Sequence, residues 1–122
     1  MLEPLKGRQI LVVEDDYLVG LSLIQMLEKA GAVGLGPVGH LDEAVAYVEQ
    51  HVATIDGVVL DVNLHGHRSY PVADLLAERG ICFVFTTGYD AGALDERYRA
   101  YPRCQKPCQS NVLIAALSGT RN

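Results

Sequence analysis

Short unbroken apolar runs alternate along this chain with longer stretches in which apolar side chains recur every three or four positions. The first run, Gln9-Ile10-Leu11-Val12-Val13, lacks the in-out alternation of a strand with one wet face. Such a run predicts a strand covered on both sides, as in a parallel sheet. Over residues 17–30, Val19, Leu23, Met26, Leu27 and Ala30 fall on one helical face, and Gly31 supplies a stop. The pattern then repeats. A weaker strand covers 32–37, and a helix over 41–50 turns Leu41, Ala44, Val45 and Val48 inward. A third strand, 57–60, ends at Asp61, and a polar loop over 63–69 leads to a helix at 70–79 with Val72, Leu75 and Leu76 as its stripe. A fourth strand covers 82–85, a short fifth ends at Gln105, and a last helix over 110–118 buries Val112, Leu113, Ala116 and Leu117. Segment 88–100 resists assignment, because Gly88 and Gly92 weaken any helix there.

Five βα units predict an α/β fold, a three-layer sandwich doubly wound around a five-stranded parallel sheet. The length suits one domain, residues 1–122, with its core over about 8–118 and neither repeat nor linker. Gly34-Leu35-Gly36-Pro37-Val38-Gly39 spells a dinucleotide-binding fingerprint, but it follows a helix and is interrupted by Pro37. The fingerprint should follow the first strand and open a helix. A strand with a turn is the better reading.

Composition narrows the function. At 49% apolar and 20% charged the chain reads as globular, and no apolar stretch is long enough to cross a bilayer. The start has no signal-peptide pattern. A net charge of −5 without a basic cluster argues against direct nucleic-acid binding. Cys82, Cys104 and Cys108 are odd in number and lack CxxC spacing, so we expect reduced thiols in a cytoplasmic protein.

Open parallel sheets bind ligands beyond the carboxyl ends of their strands. Here the ends carry Glu14-Asp15-Asp16, Asp61, Thr86-Thr87 and Lys106. Crowded carboxylates need a compensating cation, and hard oxygen ligands of this kind suit Mg²⁺ (or Mn²⁺) completed by phosphate oxygens. A lone lysine suits a phosphoryl dianion, and a hydroxyl can donate to it. These parts make a phosphoryl-transfer site in which an aspartate can be the nucleophile.

From Ile10 to Leu117 the chain resembles the receiver domains of two-component response regulators. The resemblance rests on Val12-Val13-Glu14-Asp15-Asp16, Val58-Val59-Leu60-Asp61, Thr87-Gly88 and Lys106-Pro107, in that order. It implies the flavodoxin-like sheet order 2-1-3-4-5. It also implies phosphorelay signalling, with Asp61 the phosphoacceptor and Glu14, Asp15, Asp61 and the backbone carbonyl of Asn63 holding Mg²⁺. Thr87 and Lys106 would bind the phosphoryl oxygens and act as the switch, while Asp16 would cap the first helix. The implied donor is a sensor histidine kinase or phosphotransfer protein; the downstream partner is a protein the sequence does not identify. Such a chain is a phosphoacceptor rather than a turnover enzyme. The Met1 start and short tail favour a stand-alone regulator over an excised receiver.

Two positions depart from the family pattern. Arg103 stands where many receivers carry a switch Tyr or Phe, and the loop after Asp61, Val62-Asn63-Leu64-His65-Gly66, lacks the usual proline. Phe85-Thr86-Thr87-Gly88-Tyr89 resembles the Phe-Ala-Thr-Gly-x-Tyr motif of an atypical receiver subgroup, which implies that the signalling aromatic has moved to Tyr89. Two other readings compete: an Asp-nucleophile phosphohydrolase, which wants an Asp where Asn63 stands, and a binding module that is never phosphorylated.

Overall fold

The computed structural model of the chain describes residues 3–88 and 94–118. In chain order the elements are β1 (Gln9–Val13), α1 (Tyr17–Lys29), β2 (Val33–Val38), α2 (Leu41–Gln50), β3 (Gly57–Asp61), β4 (Asn63–Leu64), β5 (His67–Arg68), α3 (Tyr70–Glu78), β6 (Cys82–Thr87), β7 (Arg103–Gln105) and α4 (Ser110–Leu117). The main sheet runs β2-β1-β3-β6-β7, all neighbours parallel. Because β4 and β5 form a separate hairpin, this is the expected 2-1-3-4-5 order. Both sheet faces are covered, which is why β1, β3 and β6 read as continuous apolar runs.

Alternate side chains feed two cores. Leu11, Val13, Val58, Leu60, Phe83 and Phe85 pack under α2 and α3, while Ile10, Val12, Val59 and Val84 pack under α1 and α4. Most are fully buried, each contributing roughly 1.5–3 kcal/mol relative to exposure. Asp16 caps α1, its Oδ1 accepting from the Leu18 and Val19 amides at 3.1 and 3.2 Å. The glycine-rich stretch that mimics a nucleotide fingerprint is β2. Gly36 there has φ +98°, and a Cβ would meet the Val12 carbonyl at 2.8 Å, so only glycine fits the bulge between the first two strands.

Two expectations need correction. The polar loop over 63–69 is a hairpin, whose two-residue turn His65-Gly66 has φ 51° and 85°. Paired positive φ values of this kind match the twist of a tight hairpin. The segment 88–100 does not supply a fourth α-helix among the described residues; it holds a single 3-10 turn, Glu96–Tyr98. That turn is anchored by burial rather than by helix propensity. The Tyr98 ring stacks on Tyr70 with centroids 4.0 Å apart, and its hydroxyl donates to Asp74 at 2.8 Å. Among the described residues no helix is long and apolar enough to cross a membrane.

Candidate phosphoryl-transfer site

The parallel sheet delivers four strand ends to one edge. β1 stops where Glu14 and Asp15 begin, β3 ends in Asp61, β6 in Thr87, and Lys106 follows β7. Glu14, Asp15 and Asp61 each offer a carboxylate oxygen, and all three oxygens lie within 4.8 Å of one another. Glu14 is only 2% exposed and Asp61 5%. Lys106 Nζ reaches both, at 2.7 Å from Glu14 Oε1 and 2.8 Å from Asp61 Oδ2.

This crowding has electrostatic consequences. Burial pushes the Glu14 carboxyl from its ordinary 4.5 to about 7, against the pull of Lys106 and the Asp16 amide and with the help of the Asp61 charge. Asp15, also raised by burial, is nevertheless held below its ordinary value by the His65 amide, the Glu14 side chain and the His65 ring. Burial alone would lower Lys106, but Asp61 and Glu14 outweigh it and hold the ammonium charged. Three acids facing one lysine leave the cluster short of positive charge. The donor set, all oxygens and partly buried, fits a hard divalent cation such as Mg²⁺.

Beside the carboxylates a pocket of about 180 Å³ is lined by Asp61, Asn63, Arg68, Thr87, Gly88 and Leu94. Among the described residues the buried Thr87 hydroxyl has no hydrogen-bond partner, nor has that of Thr86. An unpaired buried hydroxyl costs about 1–3 kcal/mol unless something supplies its partner. The Thr87 carbonyl accepts from the Lys106 amide at 2.7 Å, so two of the expected switch residues are tied together through the backbone.

The structure thus brings together Glu14, Asp15, Asp61, Thr87 and Lys106, with Asn63 at the rim. Asn63 meets Asp61 through its amide, which donates to Asp61 Oδ1 at 3.1 Å. Tyr89 lies outside the described residues. His65, read from the sequence as part of a solvated polar loop, also reaches the site. Its amide donates to Asp15 Oδ2 at 2.9 Å, and its ring stacks on His40 with centroids 4.6 Å apart, so the hairpin turn docks on the acidic pair. The positive φ that aims this amide at Asp15 has no signature in a histidine. Arg103, at the usual aromatic position, is exposed on β7.

Among solved structures the chain is similar to SdrG from Sphingomonas melonis Fr1, with 41% identity over 91% of this chain and 96% of that one and a TM-score of 0.80. It is similar to the BeF3-activated conformation of SdrG from Pseudomonas melonis Fr1 at the same identity and coverage, with a TM-score of 0.76. A response regulator receiver protein from Sinorhizobium medicae WSM419 shares the fold at 24% identity, covering 93% of this chain and 94% of that one, TM-score 0.77. No family model and no curated protein matches the sequence.

Proposed function

The chain belongs to the receiver family of response regulators, and from that membership we propose that it accepts a phosphoryl group on Asp61 in a two-component phosphorelay. The donor is a phosphohistidine on a sensor histidine kinase or phosphotransfer protein, which also places the chain in the cytoplasm. The observation that carries this reading is the convergence of three carboxylates within 4.8 Å, with Lys106 bonded to two of them.

In the reaction, an Asp61 carboxylate oxygen forms a bond to phosphorus as the phosphorus–nitrogen bond to the donor imidazole breaks, leaving an aspartyl phosphate. Glu14, Asp15, Asp61 and the Asn63 carbonyl would hold Mg²⁺ or Mn²⁺, which when bound would supply positive charge to offset that of the transferring group. The Asn63 amide orients the Asp61 side chain through its bond to Oδ1. Lys106 already lies 2.8 Å from Oδ2 and can pass to the phosphoryl oxygens without leaving the site. The Thr87 hydroxyl, without a partner among the described residues, finds an acceptor in the same group. Moving Thr87 and Lys106 together biases a two-state switch that alters protein–protein contacts. The chain is then an acceptor that assists its own phosphorylation and dephosphorylation.

The finer placement in the Phe-Ala-Thr-Gly-x-Tyr subgroup rests on Phe85-Thr86-Thr87-Gly88-Tyr89 and on Arg103 at the usual aromatic position. Tyr89→Ala should then weaken partner binding by the phosphorylated form; unchanged binding would remove Tyr89 from the account.

A beryllofluoride titration with Mg²⁺, followed by amide NMR, tests the site. Stoichiometric shifts at Thr87 and Lys106, absent from Asp61→Asn, are the expected result. The same shifts in the Asn variant, or none in the parent with Mg²⁺ in excess, would remove Asp61 from its role.

A further inference from the structure

Lys106 is flanked by two cysteines that the phosphoryl chemistry does not use. Cys104 is buried on β7, Cys108 is half-buried just before α4, and their Sγ atoms lie 2.7 Å apart. The same two sulfurs bracket the span that carries Lys106 from the end of β7 toward α4. Cys108 also lines an open cavity of about 470 Å³ with Val19, Met26, Gly88, Lys106 and Pro107, whereas Cys104 does not.

We propose that Cys104 and Cys108 form an oxidisable dithiol, closed to an intramolecular disulfide by a hydroperoxide such as H₂O₂. Cys108 reacts first, being the less buried member. Its sulfur attacks one peroxide oxygen, the oxygen–oxygen bond breaks, and water leaves, giving the sulfenic acid. The Cys104 sulfur then attacks the Cys108 sulfur, which expels its hydroxyl as a second water. Two thiols thereby lose two electrons and two protons, and one peroxide is reduced to two waters. The two sulfurs are already in contact at 2.7 Å, against a disulfide bond of about 2.05 Å.

The local electrostatics agree with this order of events. The Cys104 thiol and the Lys106 charge together hold Cys108 below its ordinary value, whereas Cys104 is raised by its bond to Cys108 and by burial. Cys82 is a built-in control. It sits on β6, donates to the Ala116 carbonyl at 3.2 Å, and is raised by burial.

A bridge at this place ties the end of β7 to the entry of α4 and restricts the travel of Lys106. Resting on the phosphoacceptor reading, the second half of the proposal is that the bridged form takes up phosphate severalfold more slowly than the reduced form.

The test treats the full chain with H₂O₂, alkylates the remaining thiols and maps the peptides by mass. A Cys104–Cys108 bridge with Cys82 alkylated, reversed by dithiothreitol and lost in both Cys104→Ser and Cys108→Ser, is the expected result. Using both variants guards against misfolding of the buried Cys104 substitution. Alkylation of Cys104 and Cys108 after oxidation, or a bridge to Cys82, would overturn the proposal. Reduced and bridged protein are then given acetyl phosphate and Mg²⁺. Equal uptake by the two forms would overturn the regulatory half. Absence of uptake by the reduced protein would instead refute the phosphoacceptor reading, with the peptide map still deciding the bridge.

Discussion

The two ends of β3 carry the same side chain and use it in opposite ways. Asp56, just before the strand, accepts from the Gln9 amide at 2.8 Å while its own amide donates to the Gln9 carbonyl at 2.8 Å. This reciprocal pair locks β1 to β3 with backbone partners that carry no charge. Asp61, at the other end, faces Glu14, Asp15 and Lys106, and its side chain accepts a backbone hydrogen bond from Asn63. One carboxylate is consumed by the fold. The other is set among groups that can change partners. The amino edge of the sheet is therefore a structural seam, and the carboxyl edge gathers three acids against one lysine.

The comparison can be broken by substitution at either end. The largest effect belongs to Asp61→Asn, which should abolish phosphate uptake from acetyl phosphate, read as intact mass, while leaving the protein folded.

Next comes Glu14→Gln. Because the folded-state carboxyl is raised, the native protein binds a proton that the unfolded chain releases at lower pH. The stability this contributes is complete below pH 4.5 and is lost as pH rises through about 7. Urea unfolding without Mg²⁺ should show the parent weakening across that window by on the order of 3 kcal/mol relative to the Gln variant. Added Mg²⁺ should offset the loss in the parent and do less for the variant. A parent with no pH slope across the window would contradict the charge imbalance assigned to the site.

A smaller effect is expected at the seam. Asp56→Ala orphans the Gln9 amide and should cost about 1–3 kcal/mol in the same unfolding assay, with phosphate uptake per folded molecule unchanged. Altered uptake would mean that the two edges are coupled. The smallest is His65→Gly, which keeps the amide that holds Asp15 and suits the positive φ, at the loss of the ring stack on His40. Its Mg²⁺ affinity should stay close to the parent's; a large drop would show that the ring, not the amide, supports Asp15.

How much of this was legible in the sequence differs by region for physical reasons. The runs at Ile10–Val13, Val58–Leu60 and Phe83–Phe85 are local patterns, and burial on both faces leaves no other strong reading. The site followed from them, since each run hands its chemistry to the same edge. What stayed hidden depends on contacts distant in sequence or on unusual backbone. The hairpin strands β4 and β5 have two residues each, too few for a period, and His65 takes a conformation that its side chain does not advertise. The turn at Glu96–Tyr98 is held by Tyr70 and Asp74, more than twenty residues away in the chain. Cys104 and Cys108 show no motif spacing, and it takes the bend at Lys106-Pro107 to bring the sulfurs together.

The most direct test of the central claim is intact-mass measurement after incubation with acetyl phosphate, with Mg²⁺ and with a chelator, on the parent and on Asp61→Asn. The account predicts one added phosphoryl group in the parent only when Mg²⁺ is present, carried on the peptide containing Asp61, and none in the variant. Uptake on another residue, equal uptake in the chelator, or no uptake by the parent with Mg²⁺ in excess would contradict it.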